Sequence, residues 1–224
     1  MRWRLEYEKG PGIRYISHLD MVRLWERLFR RSGLPLVLTQ GFNPHPKISL
    51  GTVLPVGLWG KREYLDVELT LSGDGDVVRA SLEEAAPPGI KVGRLKEIAA
   101  GTPSLMSAVN ASAYRFAFPP EMEKQVREVL VRLQQSPEIL VKGKKNEGAN
   151  DIRPGIIELR VPASGEGTVE LEAVVHTGGE KAVRYSDLLA ALGVYGLHRE
   201  EMSDSWREAN YVISGKILRD PLEI

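Results

Sequence analysis

Two stretches of this chain carry side chains that could do chemistry. They are Ser17-His18-Leu19-Asp20 and Asn43-Pro44-His45-Pro46-Lys47. Histidine exchanges protons near neutral pH, so His18 and His45 together would make a general acid–base pair for RNA cleavage. A helix opening at Ser17 would also offer its N-terminus to a phosphate. A simpler role has His18 donating to a backbone carbonyl while Ser17 and Asp20 close the helix end. Binding without catalysis needs fewer coincidences, so no catalytic residue is assigned and His18 and His45 remain the rival, nuclease reading. His176 and His198 read as turn or strand residues, and the four histidines lack the local spacing of metal ligands.

The elements that must position these groups are a helix and a rigid loop. Leu19, Val22, Leu24, Trp25, Leu28 and Phe29 recur at helical spacing, and Ser17 is placed to cap. Arg23, Arg27, Arg30 and Arg31 lie between them. Their bias to the C-terminal half suits the helix dipole without any ligand. Arginine also presents a planar fork to anionic oxygen, so Arg23, Arg27 and Arg31 make a candidate phosphate-binding stripe. Arg30 is a poorer candidate, because its stem could pack against the core. Gly33-Leu34-Pro35 stops the helix. After a short β-like run at Leu36 to Thr39, Pro44 and Pro46 restrict the backbone around His45, which holds Asn43, His45 and Lys47 at low entropic cost. Asn43 could read the edge of an unpaired base.

Composition limits the alternatives. The 224 residues suit one large or two small domains, and there is no cysteine, which excludes disulfides, thiolate nucleophiles and cysteine-ligated metals. No cofactor or metal is expected. No apolar run is long enough to span a bilayer, and the N-terminus lacks the apolar core of a signal peptide, so a cytoplasmic location is expected. Net charge is zero over the whole chain, but residues 1–50 hold nine Arg or Lys against four acids, a balance of plus five. That local excess points to an anionic partner. P-loop, dinucleotide-binding, HExxH and nucleophile-elbow motifs are absent.

Periodicity predicts the fold. Trp3, Leu5 and Tyr7 alternate with charged residues as a half-buried strand, which Ile13 to Ile16 extend or return. The arginine helix, the strand Leu36 to Thr39, the alternating strand Tyr64 to Leu71, a helix capped at Asp74 or Asp76 and a strand Ile90 to Ile98 complete βαββαβ, and Ile48 to Val53 could lie partly in a strand. In KREYLDVEL, Glu63 and Asp66 are expected to be solvated strand residues rather than a paired-carboxylate site. The second half repeats the order with additions: a strand at Tyr114 to Phe118, a helix to Gln135, strands near 139–142, 157–161 and 169–175, a helix from Ser186 or Asp187 closed by Gly193, and final strands at 197–202 and 211–218. The expected fold class is therefore α+β, with two tandem ferredoxin-like βαββαβ domains, residues 1–100 and 110–224, on antiparallel sheets. The open sheet face or the groove beside it commonly serves RNA recognition in such folds. Lys142, Lys144, Lys145 and Arg153 form a second basic cluster; Lys144, Lys145 and Arg153 are counted with the candidate RNA contacts.

The runs ISHLDMVRLWERLFRRSGLP, QGFNPHPKIS, EYLDVEL and DIRPGI resemble the radical SAM-linked protein family, a bacterial domain of unknown function, over essentially the whole chain. The family's signature maps onto Ser17, His18, Leu19 and Asp20, onto Arg23, Arg30, Arg31 and Pro35, onto Gly41 to Lys47 and Ser49, and onto Glu63, Asp66, Asp151 and Arg153. Thr39 stands where serine is common and Leu50 where phenylalanine is common. The resemblance implies a stand-alone or fused accessory domain that works beside a separate radical SAM protein. The lack of cysteine means that this chain does not hold that enzyme's cluster. Together these readings make the expected function an RNA-binding accessory protein, with structured RNA and a radical SAM protein as partners. The alternatives are the histidine nuclease and a protein-interaction subunit without RNA contact.

Overall fold

Alternation of apolar and charged residues builds the first strand, β1 (Arg2–Lys9), in a computed structural model that describes all residues except 71–73, 143–147, 163–166 and 216. Two units follow from the contacts: Met1–Val109 with Ala209–Ile224, and Asn110–Glu208. The C-terminal segment, expected with the second half, therefore belongs to the first unit. Its residues make side-chain bonds to β1 and to the third strand, which periodicity within one segment cannot reveal.

In the first unit β1 is followed by α1 (His18–Arg31), β2 (Ile48–Leu50), β3 (Trp59–Glu68), α2 (Gly75–Ala85), β4 (Ile90–Ile98) and α3 (Leu105–Ala108). β1 pairs antiparallel with both β3 and β4, and β2 pairs antiparallel with the last residues of β3, giving the order β4-β1-β3-β2. The order of elements is βαββαβ, with the second strand shifted from its expected position. Leu36 and Leu38 make only isolated bridges, to Leu69 and Pro46, and the ladder begins at Ile48. Prolines at 35, 44 and 46 have no N–H to donate, which prevents a longer ladder there. Ile13 to Ile16 neither extend nor return β1: Pro11–Ile13 is a 3-10 turn and residues 14–16 are not in a strand.

One face of this sheet and the two helices bury a shared core. Trp3, Leu5, Tyr7, Leu65 and Val67 meet Trp25, Leu28 and Phe29 of α1 and Val78 and Leu82 of α2. Tyr7 and Trp25 stack edge to face with centroids 4.9 Å apart. The opposite face is closed as well, so the open sheet expected for RNA is not there in this unit. Arg4, on that face, is fully buried. It donates to Asp66, to Pro221 O at 2.9 Å and to Pro103 O at 3.0 Å. Tyr64, Leu105, Val109 and Leu222 make a second, smaller core over the same face. Glu63 and Asp66 are both buried, contrary to the solvated positions expected from alternation.

The second unit contains β5 (Ala111–Phe118), α4 (Glu123–Gln135), a two-stranded ribbon of β6 (Leu140–Lys142) and β7 (Ala149–Asp151), then β8 (Ile156–Arg160), β9 (Val169–His176), α5 (Tyr185–Tyr195) and the start of β10 (Asp204–Ser214). Its sheet order is β10-β5-β9-β8, with β5–β9 and β8–β9 antiparallel. Phe116, Phe118, Val126, Val129, Leu133, Leu188 and Leu192 are buried. α5 runs two residues past Gly193, and Gly196 supplies the left-handed turn at φ 100°. Residues 199–201 form a 3-10 turn, and the last strands are β10 and β11 (Ile217–Arg219), which pair antiparallel. β10 crosses the boundary between the units at Glu208 and Ala209. The fold is thus α+β with mostly antiparallel sheet.

Candidate nucleic-acid interface

Ser17 caps α1 as its residue type predicts. Its Oγ accepts from Asp20 N at 3.2 Å and donates to Asp20 Oδ2 at 2.7 Å. The Ser17 hydroxyl, with help from Arg23 and Arg27, holds the Asp20 carboxyl below the usual carboxylate range. Arg23 Nη1 lies 3.1 Å from Asp20 Oδ1 in an exposed pair. A pair this exposed contributes little to stability and leaves the arginine accessible.

The arginines of α1 differ in what they touch. Arg31 donates through Nη2 to Ala85 O at the end of α2, so its fork ties the two helices together. Arg27 and Arg30 are exposed, and neither has a hydrogen-bond or ion-pair partner among the described residues. Arg30, a poor candidate on sequence grounds, is therefore open to a ligand, whereas Arg31 has a structural contact. Nothing in helical spacing distinguishes them, because the deciding carbonyl is 54 residues away.

The proline loop is a hairpin tip. Thr39 N donates to His45 O at 2.8 Å and His45 N donates to Thr39 Oγ1 at 3.0 Å. Gln40 to His45 are all exposed, and Phe42 at 106% is more exposed than any other large apolar residue described. Lys47 follows the tip and pairs with Glu68 at 2.9 Å. Phe42 was not among the residues expected to bind. The available signal was an aromatic residue between Gly41 and Asn43 in an otherwise polar turn.

His18 and His45 are not brought together. His18 lines a cavity of about 20 Å3 with Tyr7, Lys9, Met21, Thr52 and Glu63, and no residue of the loop 40–47 contributes to it. That volume holds about one water. Lys9 Nζ donates to Arg14 O at 3.2 Å and to Ile16 O at 2.9 Å beside it. Glu63 marks the cavity end of β3 and Glu68, bonded to Lys47, the loop end. They are five residue steps apart along the strand, roughly 17 Å at a rise of about 3.3 Å per residue. The contacts of the two histidines therefore fall near different ends of β3.

In the second basic cluster, Lys144 and Lys145 lie outside the described residues. Lys142 ends β6 and is exposed. Arg153 is half-buried in the 3-10 turn Arg153–Gly155, where Asp151 Oδ1 accepts from Arg153 N at 2.9 Å and Ile139 N at 2.8 Å. The DIRPGI run therefore has a local structural explanation at Asp151.

A family model described as "Uncharacterized protein conserved in bacteria (DUF2344)" matches residues 2–185. Among solved structures, a chain of a Cbf5–Nop10–Gar1 complex is similar over 92% of this chain and 47% of its own length, at 12% identity and a TM-score of 0.47. A chain of an H/ACA ribonucleoprotein bound to a substrate RNA containing 2′-deoxyuridine is similar over 93% of this chain and 45% of its own, at 11% identity and a TM-score of 0.41. The chain spans less than half the length of these two structures. No curated protein matches it.

Proposed function

The chain belongs to the DUF2344 family of proteins conserved in bacteria, and from that premise we propose that it is a cytoplasmic RNA-binding accessory protein built from two ferredoxin-like domains, which assists a separate radical SAM enzyme. The strand orders β4-β1-β3-β2 and β10-β5-β9-β8, each with two crossover helices, support the ferredoxin-like assignment. The radical SAM partner rests on the resemblance of the SHLD and GFNPHPKIS runs.

One observation carries the RNA reading. From Arg27 to Arg62 the chain has no acidic residue, and it has six basic ones: Arg27, Arg30, Arg31, Lys47, Lys61 and Arg62. This segment includes the exposed Arg27 and Arg30 and the whole hairpin tip; Lys47 is paired with the carboxylate of Glu68, which leaves Arg27 and Arg30 to meet an anion. Phosphate contact by arginine releases condensed counterions, and affinity falls as salt rises.

The test is a salt titration of binding to a single-stranded RNA. Replacing Arg27 and Arg30 by alanine should weaken binding across sequences and lower the log–log salt slope by about 1.4, at roughly 0.7 per phosphate contact. Arg31→Ala serves as a control, since loss of its bond to Ala85 O affects folding stability first. Absence of wild-type RNA binding at low salt defeats the reading. In that case, co-purification from native cells with a radical SAM protein would support the interaction-subunit reading.

A further inference from the structure

We propose that the tip Gln40–His45 is a binding site for one unpaired nucleobase, with the Phe42 ring as its stacking platform. This rests on the RNA reading above and names the part of the RNA that this loop takes. The ring is fully exposed, and its neck is held by the bonds between Thr39 and His45 and the Leu38–Pro46 bridge. Pro44 and Pro46 restrict the backbone on the return side. A platform presented in this way loses little entropy on binding.

The surroundings favour a base over an apolar partner. A protein-docking or membrane-inserting surface needs a contiguous apolar patch. Around Phe42 the tip carries Gln40, Asn43 and His45, all exposed and all able to hydrogen-bond to a base edge. An aromatic face flanked by amides, in a stretch with no carboxylate, matches how proteins hold unpaired bases: stacking for affinity, edge hydrogen bonds for preference, and cations for the backbone. A duplex keeps its bases inside the stack and offers this ring nothing.

The experiment uses the full chain and a short unstructured RNA bearing one 2-aminopurine, with a blunt duplex of the same length alongside. Wild type should change the probe's fluorescence on the single strand. Phe42→Ala should weaken single-strand binding by roughly 5- to 150-fold, the range for loss of one base–aromatic stack. It should leave the salt slope and duplex binding unchanged, and Phe42→Trp should retain affinity. Salt-dependent wild-type binding with equal affinity in Phe42→Ala overturns the stacking site and leaves the arginine footprint standing. An equal loss on single strand and duplex also overturns it, because the ring would then not be reading an unpaired base. If wild type binds neither RNA, the RNA reading falls and the base site with it.

Discussion

Arg4 and Asp66 form a buried, two-pronged ion pair: Nε donates to Oδ1 at 2.8 Å and Nη2 to Oδ2 at 3.1 Å, with the arginine side chain wholly out of solvent. Arg2 also donates to Asp66, at 2.5 Å. Two further Arg4 N–H groups donate to the carbonyls of Pro103 and Pro221. This satisfaction lets a strand with charged residues on one face be buried on both.

Breaking that pair from either side strands a charge. Asp66→Ala and Arg4→Ala should each destabilise the fold by about 3–5 kcal/mol. The double variant should cost clearly less than the sum of the two, with a coupling of about 0.5–3 kcal/mol. Denaturant unfolding of the four proteins measures this. Additive losses would show that the two residues act independently.

Stability should fall at both ends of the pH scale through a second network on the same sheet face. The Tyr64 hydroxyl is 3.1 Å from Glu6 Oε2 and 3.2 Å from Asp220 Oδ1, and Arg94 donates to both carboxylates. Burial, with the Asp220 and Glu6 charges, pushes the Tyr64 phenol well above its ordinary range. The folded chain thus holds a proton that the unfolded chain releases near pH 10, and stability declines as pH rises past about 10. Burial opposes ionisation of Asp220, but the Arg94 guanidinium and the Leu222 N–H outweigh it, so this carboxyl sits below its usual range. Its contribution is full above the unfolded value of about 3.9 and is lost as pH falls from there through the folded value. Tyr64→Phe should flatten the alkaline limb and Asp220→Asn the acid limb. Limbs unchanged from wild type would assign the pH dependence elsewhere.

The separation of His18 from His45 predicts that purified protein does not cleave RNA by a metal-independent reaction needing both. Labelled RNA incubated with wild type, His18→Ala and His45→Ala in chelator should stay intact in all three. Cleavage by wild type that either substitution abolishes, with folding and RNA binding retained, would restore the nuclease reading.

At Gly155 the structure leaves no room for a side chain. An alanine Cβ would lie 2.5 Å from Val183 Cγ2 and closer still to Lys181 O, a backbone atom. Gly155→Ala should cost about 1–3 kcal/mol by overpacking. Gly12→Ala, where nothing lies within 4 Å and φ is not positive, should be close to neutral. Thermal unfolding of the two variants checks the contrast, and equal effects would count against the packing account.

What the sequence by itself determined was local. Ser17 announced its cap, the second cap was narrowed to Asp74 or Asp76 and is Asp74, the apolar stripe announced α1, and Ile90–Ile98 emerged as a strand at its observed limits, because caps and periods act over a few residues. Tertiary structure decided which polar residues are buried and which face a ligand. Arg4 reaches carbonyls 99 and 217 positions away, and Arg31 reaches one 54 positions away while Arg30 beside it stays exposed. The same holds for the two histidines: His18 opens α1 and lines the cavity that Glu63 shares, whereas His45 lies beyond α1 in the loop whose Lys47 pairs with Glu68. Side-chain type predicts what a group can do. Its partner is set by the register and packing of segments far apart in the chain, and no period within one segment encodes that.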